Sequence, residues 1–453
     1  MVSGLKNREI FVDWNSAGTC SGDLWIKSVE PVQSVDKNQP GTTSSSNPAA
    51  SYISEPITDT IMSMSIGLAG KPNSGKSTFF KSATLADIEI ANYPFTTIDA
   101  NHGIAYVRTK CPCTDLDVAC ANCQNGVRFV AIEAIDVAGL VPDAHKGRGL
   151  GNAFLDNLRQ AQVIIHVVDA SGGTDIEGNP VDIGEHDPLD DIGFLEYELT
   201  MWICSILKRN WNRLSKRIQA ENLNPAVVVA DQLTGAGVSV YQAKAALSRF
   251  GEVCAKPPHL WDDSDLRNFA DLLRIESKPM IIAANKADIA PEENIKRLCD
   301  LDYTVIPTSA EAELALRMAD KSGAISYIPG DSDFEIVSNN LSDAQIRALD
   351  KIRDMVTSMG GTGIQQCINA AVFDLLDQIV VYPVEDEARF TDKKGNVLPD
   401  AFLMRKGSTA HDLAYQIHTD IGDGFLHAVD ARQRMRMGRE LKDGDVVKII
   451  STR

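Results

Sequence analysis

The segment Gly70-Lys-Pro-Asn-Ser-Gly75-Lys76-Ser77-Thr78 has the G-x-x-x-x-G-K-S spacing of a phosphate-binding loop, and it follows the apolar run Ser65-Ile-Gly-Leu-Ala69. Glycines at this spacing let backbone N–H groups of Asn73, Ser74 and Gly75 close around phosphate oxygens. Lys76 reaches the β/γ-phosphates, and Ser77, followed by Thr78, offers a hydroxyl to magnesium. The pattern implies a bound nucleoside triphosphate.

A phosphoryl-transfer site needs further groups in chain order. Asn92-Tyr-Pro-Phe-Thr96-Thr97 forms a polar loop in which Thr97, favoured over Thr96, can complete the magnesium shell and sense the γ-phosphate. The strand pattern Phe129 to Asp136 ends in Asp136, which can hold magnesium through a water, and Gly139 offers its amide to the γ-phosphate. Gly147, Gly149 and Gly151 suit a segment that rearranges on hydrolysis. Asn285-Lys286-Ala287-Asp288 follows the apolar run Met280 to Ala284. The Asp288 carboxylate can accept from N1–H and the 2-amino group of guanine; adenine has neither donor and would leave the charge unpaired. Ser309 and Ala310, after a last short strand, can reach the base oxygen through their backbone.

These motifs, with Asp136-Val-Ala-Gly139-Leu-Val-Pro142 and Gly147-Arg-Gly-Leu-Gly-Asn152, resemble the Obg family of GTPases and, within it, the YchF subfamily in its archaeal form. The resemblance covers roughly residues 62 to 453. It implies GTP and GDP as ligands, magnesium as cofactor, and the ribosome or structured RNA as partner. Bacterial and eukaryotic YchF proteins resemble this chain but carry a degenerate base motif associated with ATP; the intact Asn285-Lys286-Ala287-Asp288 favours GTP here. The alternatives are an ATP-hydrolysing stress regulator and an RNA-binding adaptor with a structural nucleotide.

Where similar enzymes place a water-orienting glutamine this chain has Leu140, which cannot hydrogen-bond, so intrinsic hydrolysis is expected to be slow. In similar GTPases an asparagine at the position of Asn73 helps hold potassium; the alternative is that Asn73 only caps its loop. His145 and His186 are candidate water positioners, against the ordinary reading of loop histidines facing solvent.

The elements that must position these groups follow from the rest of the chain. With 453 residues, 44% of them hydrophobic, it can build two to four domains. No apolar run approaches a membrane span, and a net charge of −18 opposes wholesale nucleic-acid binding, so neither membrane nor DNA is an expected partner. Nine cysteines without a signal peptide point to a reducing cytoplasm, and a monomer is expected. Residues 1–61 read as a disordered tail or a misassigned start, because Met62 and Met64 stand just ahead of the first strand.

The expected fold is α/β. A P-loop domain with a mostly parallel sheet occupies residues 62–185 and 277–378, including a helical linker. An inserted α-helical subdomain fills residues 186–276, read as a projecting hairpin whose aromatics form core. A β-grasp, ubiquitin-like TGS module closes the chain at 379–453, with strands expected at 379–382, 388–390, 401–403, 425–429 and 446–450 around a helix at 410–418. Residues 389–453 hold twelve Lys or Arg against nine Asp or Glu, and Arg432, Arg434, Arg436 and Arg439 are candidate RNA-phosphate contacts, with a solvated charged face as the alternative.

Cys111-Pro-Cys113 and Cys120-Ala-Asn-Cys123 lie in a loop ahead of the strand bearing Asp136. Four thiolates could bind zinc, but Cys111-x-Cys113 is tighter than the usual gap, so the spacing favours a hairpin with reduced thiols; a redox-sensitive disulfide is a third reading.

Overall fold

The computed structural model describes residues 64–85, 101–137, 139, 157–254 and 256–452. Thr96, Thr97, Leu140, His145, the glycines 147–151 and the amino-terminal tail lie outside them.

The apolar runs become the strands of a six-stranded sheet: β1 (Ser65–Ala69), β2 (His102–Lys110), β3 (Val127–Asp136), β4 (Val163–Asp169), β5 (Met280–Asn285) and β6 (Val305–Pro307), in the order β2-β3-β1-β4-β5-β6. All neighbouring pairs are parallel except β2 and β3, an antiparallel pair in register from His102 opposite Ile135 to Lys110 opposite Val127. β1, β4 and β5 are buried along their whole length, which is why they read as unbroken apolar runs rather than as alternating ones. Because β1, β3, β4, β5 and β6 run the same way, the loops after each of them open on one edge of the sheet. Helix α1 (Lys76–Thr84) leaves that edge directly after β1.

The expected helical hairpin is instead a bundle. Among the described residues, α2 (Cys113–Leu116) interrupts the β2–β3 connection, and five helices then lie between β4 and β5: α3 (Pro188–Lys208), α4 (Trp211–Glu221), α5 (Pro225–Gln232), α6 (Val240–Val253) and α7 (Asp263–Ser277). Its apolar residues do not project away from the sheet. Leu195, Leu199, Phe269 and Leu273 share one core with Ile164, Val168 and Ile282 of the strands, and burying them there removes more apolar surface from water than a free hairpin could. The tryptophans and phenylalanines belong to this core, with Trp211 stacked on Trp261 at a ring-centroid distance of 5.1 Å and Phe250 meeting Trp261 edge-on at 4.8 Å, whereas Tyr197 and Tyr241 are exposed. Asp187, Ser239 and Asp262 cap the starts of α3, α6 and α7.

Helix α8 (Glu292–Cys299) lies between β5 and β6, and beyond β6 come α9 (Ala310–Lys321), the short pair β7 (Ile325–Ser326) and β8 (Glu335–Ile336), α10 (Asp343–Met359) and α11 (Ile364–Asn369). Helix α11 covers the edge strand β2: Gln365 Nε2 donates to the Tyr106 carbonyl at 2.8 Å and Asn369 Nδ2 to the Arg108 carbonyl at 3.0 Å.

The second sheet is built from β9 (Gln378–Val384), β10 (Phe402–Arg405), β11 (Phe425–Asp430), β12 (Met435–Arg436) and β13 (Val446–Ser451), ordered β10-β9-β13-β11-β12, with its central pair β9 and β13 parallel. With α12 (Ala410–Ile417) against it, this is the expected β-grasp arrangement. Residues 388–390 are a turn, not a strand: Asp386 Oδ1 accepts from the amides of Ala388 at 2.8 Å and Arg389 at 3.2 Å, taking donors a ladder would need. Strand β9 buries both faces. Ile379 and Val381 pack with Leu413 under α12, whereas Val380, Tyr382 and Val384 join the core that holds Cys111, Cys113 and Val130.

Candidate functional site

The shared edge of the sheet gathers residues more than two hundred positions apart. Gly75 sits at φ 92°, and a Cβ there would stand 2.1 Å from Asn285 Nδ2, so this turn accepts only glycine. No side chain caps α1, and its hydrogen-bond ladder starts with Phe79 N to the Gly75 carbonyl. The first-turn amides of Lys76, Ser77 and Thr78 are thus left for an anion, at the helix end where the dipole favours negative charge. Ser74 Oγ is buried and has no hydrogen-bond partner among the described residues. An orphaned hydroxyl inside a glycine-cornered loop fits a phosphate.

Asp136 ends β3 beside that loop. Lys76 Nζ donates to Asp136 Oδ1, and Ser77 Oγ lies 3.4 Å from Asp136 Oδ2. A hydroxyl and a carboxylate side by side are hard oxygen ligands of the kind magnesium takes. Gly139 stands against Pro72 of the loop, where an added Cβ would come within 3.3 Å of the ring.

Asn285 ties the parts together. Its Nδ2 donates to the Ser74 carbonyl at 2.9 Å and its Oδ1 accepts from the Ala310 amide at 3.0 Å, so one buried amide clamps the phosphate loop to the loop after β6. Ser309 is buried behind it, donating its own amide to the Thr362 carbonyl at 3.0 Å. Lys286 adopts φ 60° and its Nζ pairs with Asp169 Oδ2 at 2.8 Å. Asp288 is exposed at the rim of the same turn.

Sequence reasoning missed the residues beneath these. Asp169, fully buried at the end of β4, accepts from Ser171, Thr174 and Lys286; burial by itself would raise its carboxyl, but those hydrogen bonds outweigh it and hold it below the ordinary range. The available signal was its place, a carboxylate closing an apolar strand as Asp136 does. Lys71, inside the phosphate loop but buried, turns away from it: Nζ donates to the Thr174 carbonyl at 2.7 Å and pairs with Asp191 Oδ2 at 2.9 Å. His166 is buried near this ammonium, and burial first, then the Lys71 charge, pull its ring down to about 3.

Two expected roles look different in the fold. Asn73 adopts φ 60° and donates from Nδ2 to the Gly178 carbonyl at 2.9 Å, which pins the phosphate loop to the loop after β4 and leaves its oxygen as the only side-chain ligand atom. His186 has Nε2 bound to Asp191 Oδ1 at 2.8 Å, so one ring nitrogen is committed to the Lys71–Asp191 network rather than held for water.

Comparison with known proteins agrees with this geometry. Residues 65–191 match the family described as 50S ribosome-binding GTPase, residues 283–386 the Obg-like GTPase YGR210-like, G4 motif-containing domain, and residues 389–451 the TGS domain. A GTP-binding protein of Methanocaldococcus jannaschii, named as uncharacterised, is 53% identical over 396 residues, spanning 85% of this chain and 98% of its own. The chain belongs to the Obg-like, YchF-type GTPase family. The crystal structure of a GTP-binding protein from Pyrococcus horikoshii has a TM-score of 0.69 at 42% identity, covering 86% of this chain and all of that one (100%). A more distant member of the family, the ribosome-binding ATPase YchF of Bacillus subtilis, is 28% identical over 376 residues, spanning 81% of this chain and 88% of its own.

The carboxy-terminal arginines divide in this Obg-like fold. Arg439 is held by Asp445 at 2.6 and 2.9 Å and by Asp430 at 3.2 Å, and Arg432 Nη2 donates to the Gly444 carbonyl at 3.0 Å, so both brace the sheet. Arg434 and Arg436, at the edge strand β12, are exposed.

Proposed function

We propose that the protein binds GTP at the sheet edge, hydrolyses it slowly to GDP and phosphate, and acts as a nucleotide-dependent switch on the ribosome in the cytoplasm. The observation that carries this reading is the Asn285 clamp, which brings the phosphate loop, the Lys286–Asp288 turn and the Ser309–Ala310 backbone to one rim. Asp288 supplies the guanine preference, and Lys76 moves from Asp136 to the phosphates when nucleotide enters. Ser77, Thr97 and Asp136 would hold magnesium, which supplies charge neutralisation at the β- and γ-phosphates. The Asn73 oxygen is the side-chain ligand available to potassium. The relatives' names support the ribosome as partner, and one of them names ATP as the nucleotide.

Competition against a labelled GTP analogue tests the base assignment. GTP is expected to displace it at least about 100-fold better than ATP, since a site built around two donors rejects a base lacking them. Equal displacement by ATP would move the protein to the ATPase reading. Co-sedimentation with ribosomal subunits in GTP and GDP states tests the partner; indifference to nucleotide state would remove the switch.

A further inference from the structure

The end of the β2–β3 hairpin opposite the nucleotide edge carries the four cysteines, and the fold brings them together. Their Sγ atoms all lie within 4.8 Å of one another. Two crossed pairs lie close: Cys111 with Cys120 at 3.8 Å and Cys113 with Cys123 at 3.5 Å. Ligand atoms about 2.3 Å from a central zinc, at the corners of a tetrahedron, stand roughly 3.8 Å apart. A disulfide needs about 2.05 Å. The tight Cys111-x-Cys113 gap is accommodated because Cys111 ends the strand pair and Pro112 turns the chain into α2, which starts at Cys113. Cys120 and Cys123 then arrive from the other side of the loop, after Asp117 takes a left-handed turn at φ 52°.

Two donors reach the sulfur of Cys120. The Asn122 amide donates to Cys120 Sγ at 3.3 Å, and the buried Arg128 guanidinium places Nη1 3.9 Å from the same sulfur. The Tyr382 hydroxyl, on the face of β9 packed against this loop, is buried without a hydrogen-bond partner among the described residues. A sixteen-residue connection (111–126) with one helical turn has almost no core of its own, which is the circumstance in which small modules use a metal.

We propose that Cys111, Cys113, Cys120 and Cys123 bind one structural zinc ion, and that this knuckle fastens the nucleotide-binding sheet to the β-grasp sheet. Binding releases the thiol protons to solvent as four thiolates form. The fastening is direct: Asn122 Nδ2 donates to the Leu398 carbonyl at 3.2 Å, and Arg128 Nη2 to the Pro399 carbonyl at 3.0 Å. Arg128 therefore touches both the sulfur cluster and the loop that leads into β10 of the second sheet. The closed set of four protein ligands leaves no open position for chemistry, so the role is structural.

Elemental analysis of the full-length chain, purified without chelators, is expected to give about one zinc per chain. An organomercurial should release it in step with the exposure of four thiols. Cys123→Ser is expected to lose the zinc and to become cut more rapidly by protease between the two sheets, while still binding nucleotide. Should that variant not fold, stripping zinc from the wild type with a strong chelator provides the same comparison, with protection restored by added zinc. Absence of zinc with four freely reactive thiols would overturn the proposal. So would two disulfides found by mass spectrometry of unreduced protein, iron in place of zinc, or an unchanged protease pattern after stripping.

Discussion

Strand β3 has two ends, about 30 Å apart for ten residues, and they are built in opposite ways. At Asp136 the protein spends backbone freedom: uncapped amides, left-handed turns at Asn73 and Gly75, and an orphaned Ser74 hydroxyl leave donors for a ligand that comes and goes. At Val127 the neighbouring loop turns inward, with Cys111 and Cys113 buried and Arg128 and Asn122 bound to the loop before β10. The site that releases its ligand keeps polar groups unsatisfied, whereas at the joint Asn122 and Arg128 find carbonyl partners within the chain. The antiparallel β2–β3 pair runs unbroken from one end to the other, from His102 opposite Ile135 to Lys110 opposite Val127.

The sharpest way to separate the ends is Gly75→Ala. A Cβ at φ 92°, 2.1 Å from Asn285 Nδ2, has to displace the clamp, and nucleotide affinity by calorimetry should fall at least about 100-fold. Zinc content and the thiol count should stay unchanged; if they change with it, the ends are not independent. Next in size is an acid effect confined to the nucleotide half. His166 is neutral in the fold, pulled down to about 3 from an ordinary 6.5, so the unfolded chain takes up a proton first as pH falls. The stability present above pH 6.5 is therefore lost progressively toward pH 3, at about 1.4 kcal/mol per pH unit and about 2 kcal/mol by pH 5. Denaturant midpoints of wild type and His166→Asn should converge across that window, and parallel curves would show that His166 ionises freely.

At the anchored end, Asn122→Ala removes a part-buried hydrogen bond to the Leu398 carbonyl and an exposed one to the Pro399 carbonyl and should cost only about 0.5–1 kcal/mol. Thermal unfolding would show it as a small shift of the β-grasp transition without any change in nucleotide affinity. Smallest is Arg434→Ala with Arg436→Ala: fold stability should stay within about 0.5 kcal/mol, while the salt dependence of binding to ribosomal RNA should flatten by roughly two ion equivalents. The matching pair at Arg432 and Arg439 should instead destabilise the sheet, because Asp430, Asp445 and the Gly444 carbonyl would lose their guanidinium partners and keep only backbone donors at the two carboxylates.

The nucleotide edge was legible because phosphate is bound by backbone geometry, and only a narrow set of residues permits that geometry. Glycine at position 75 and a run of buried strands ending in Asp136 and Asn285 leave little freedom in how they are read. The β-grasp strands were legible from their short apolar runs, apart from 388–390, where the Asp386 carboxylate took the amides that a strand would have used, and the two-residue β12 (Met435–Arg436), which has no apolar run to mark it. The helical insertion was legible as helix but not as a bundle, since periodicity marks an apolar face without naming what covers it.

What the sequence determined by itself was the family, the order of the motifs and the class of ligand, because these rest on local spacing and on residue types that chemistry cannot exchange. Only the tertiary structure decided which polar groups are spent on holding the site together: Asn285 as a clamp, Lys71 and Asp169 as buried partners, Arg439 as a brace and Asn73 as a loop pin. It also decided that sulfurs spaced too closely for the usual pattern meet in one cluster. Those outcomes depend on distances between residues far apart in the chain, and they are fixed by the cost of burying any charge or hydrogen-bonding group without a partner.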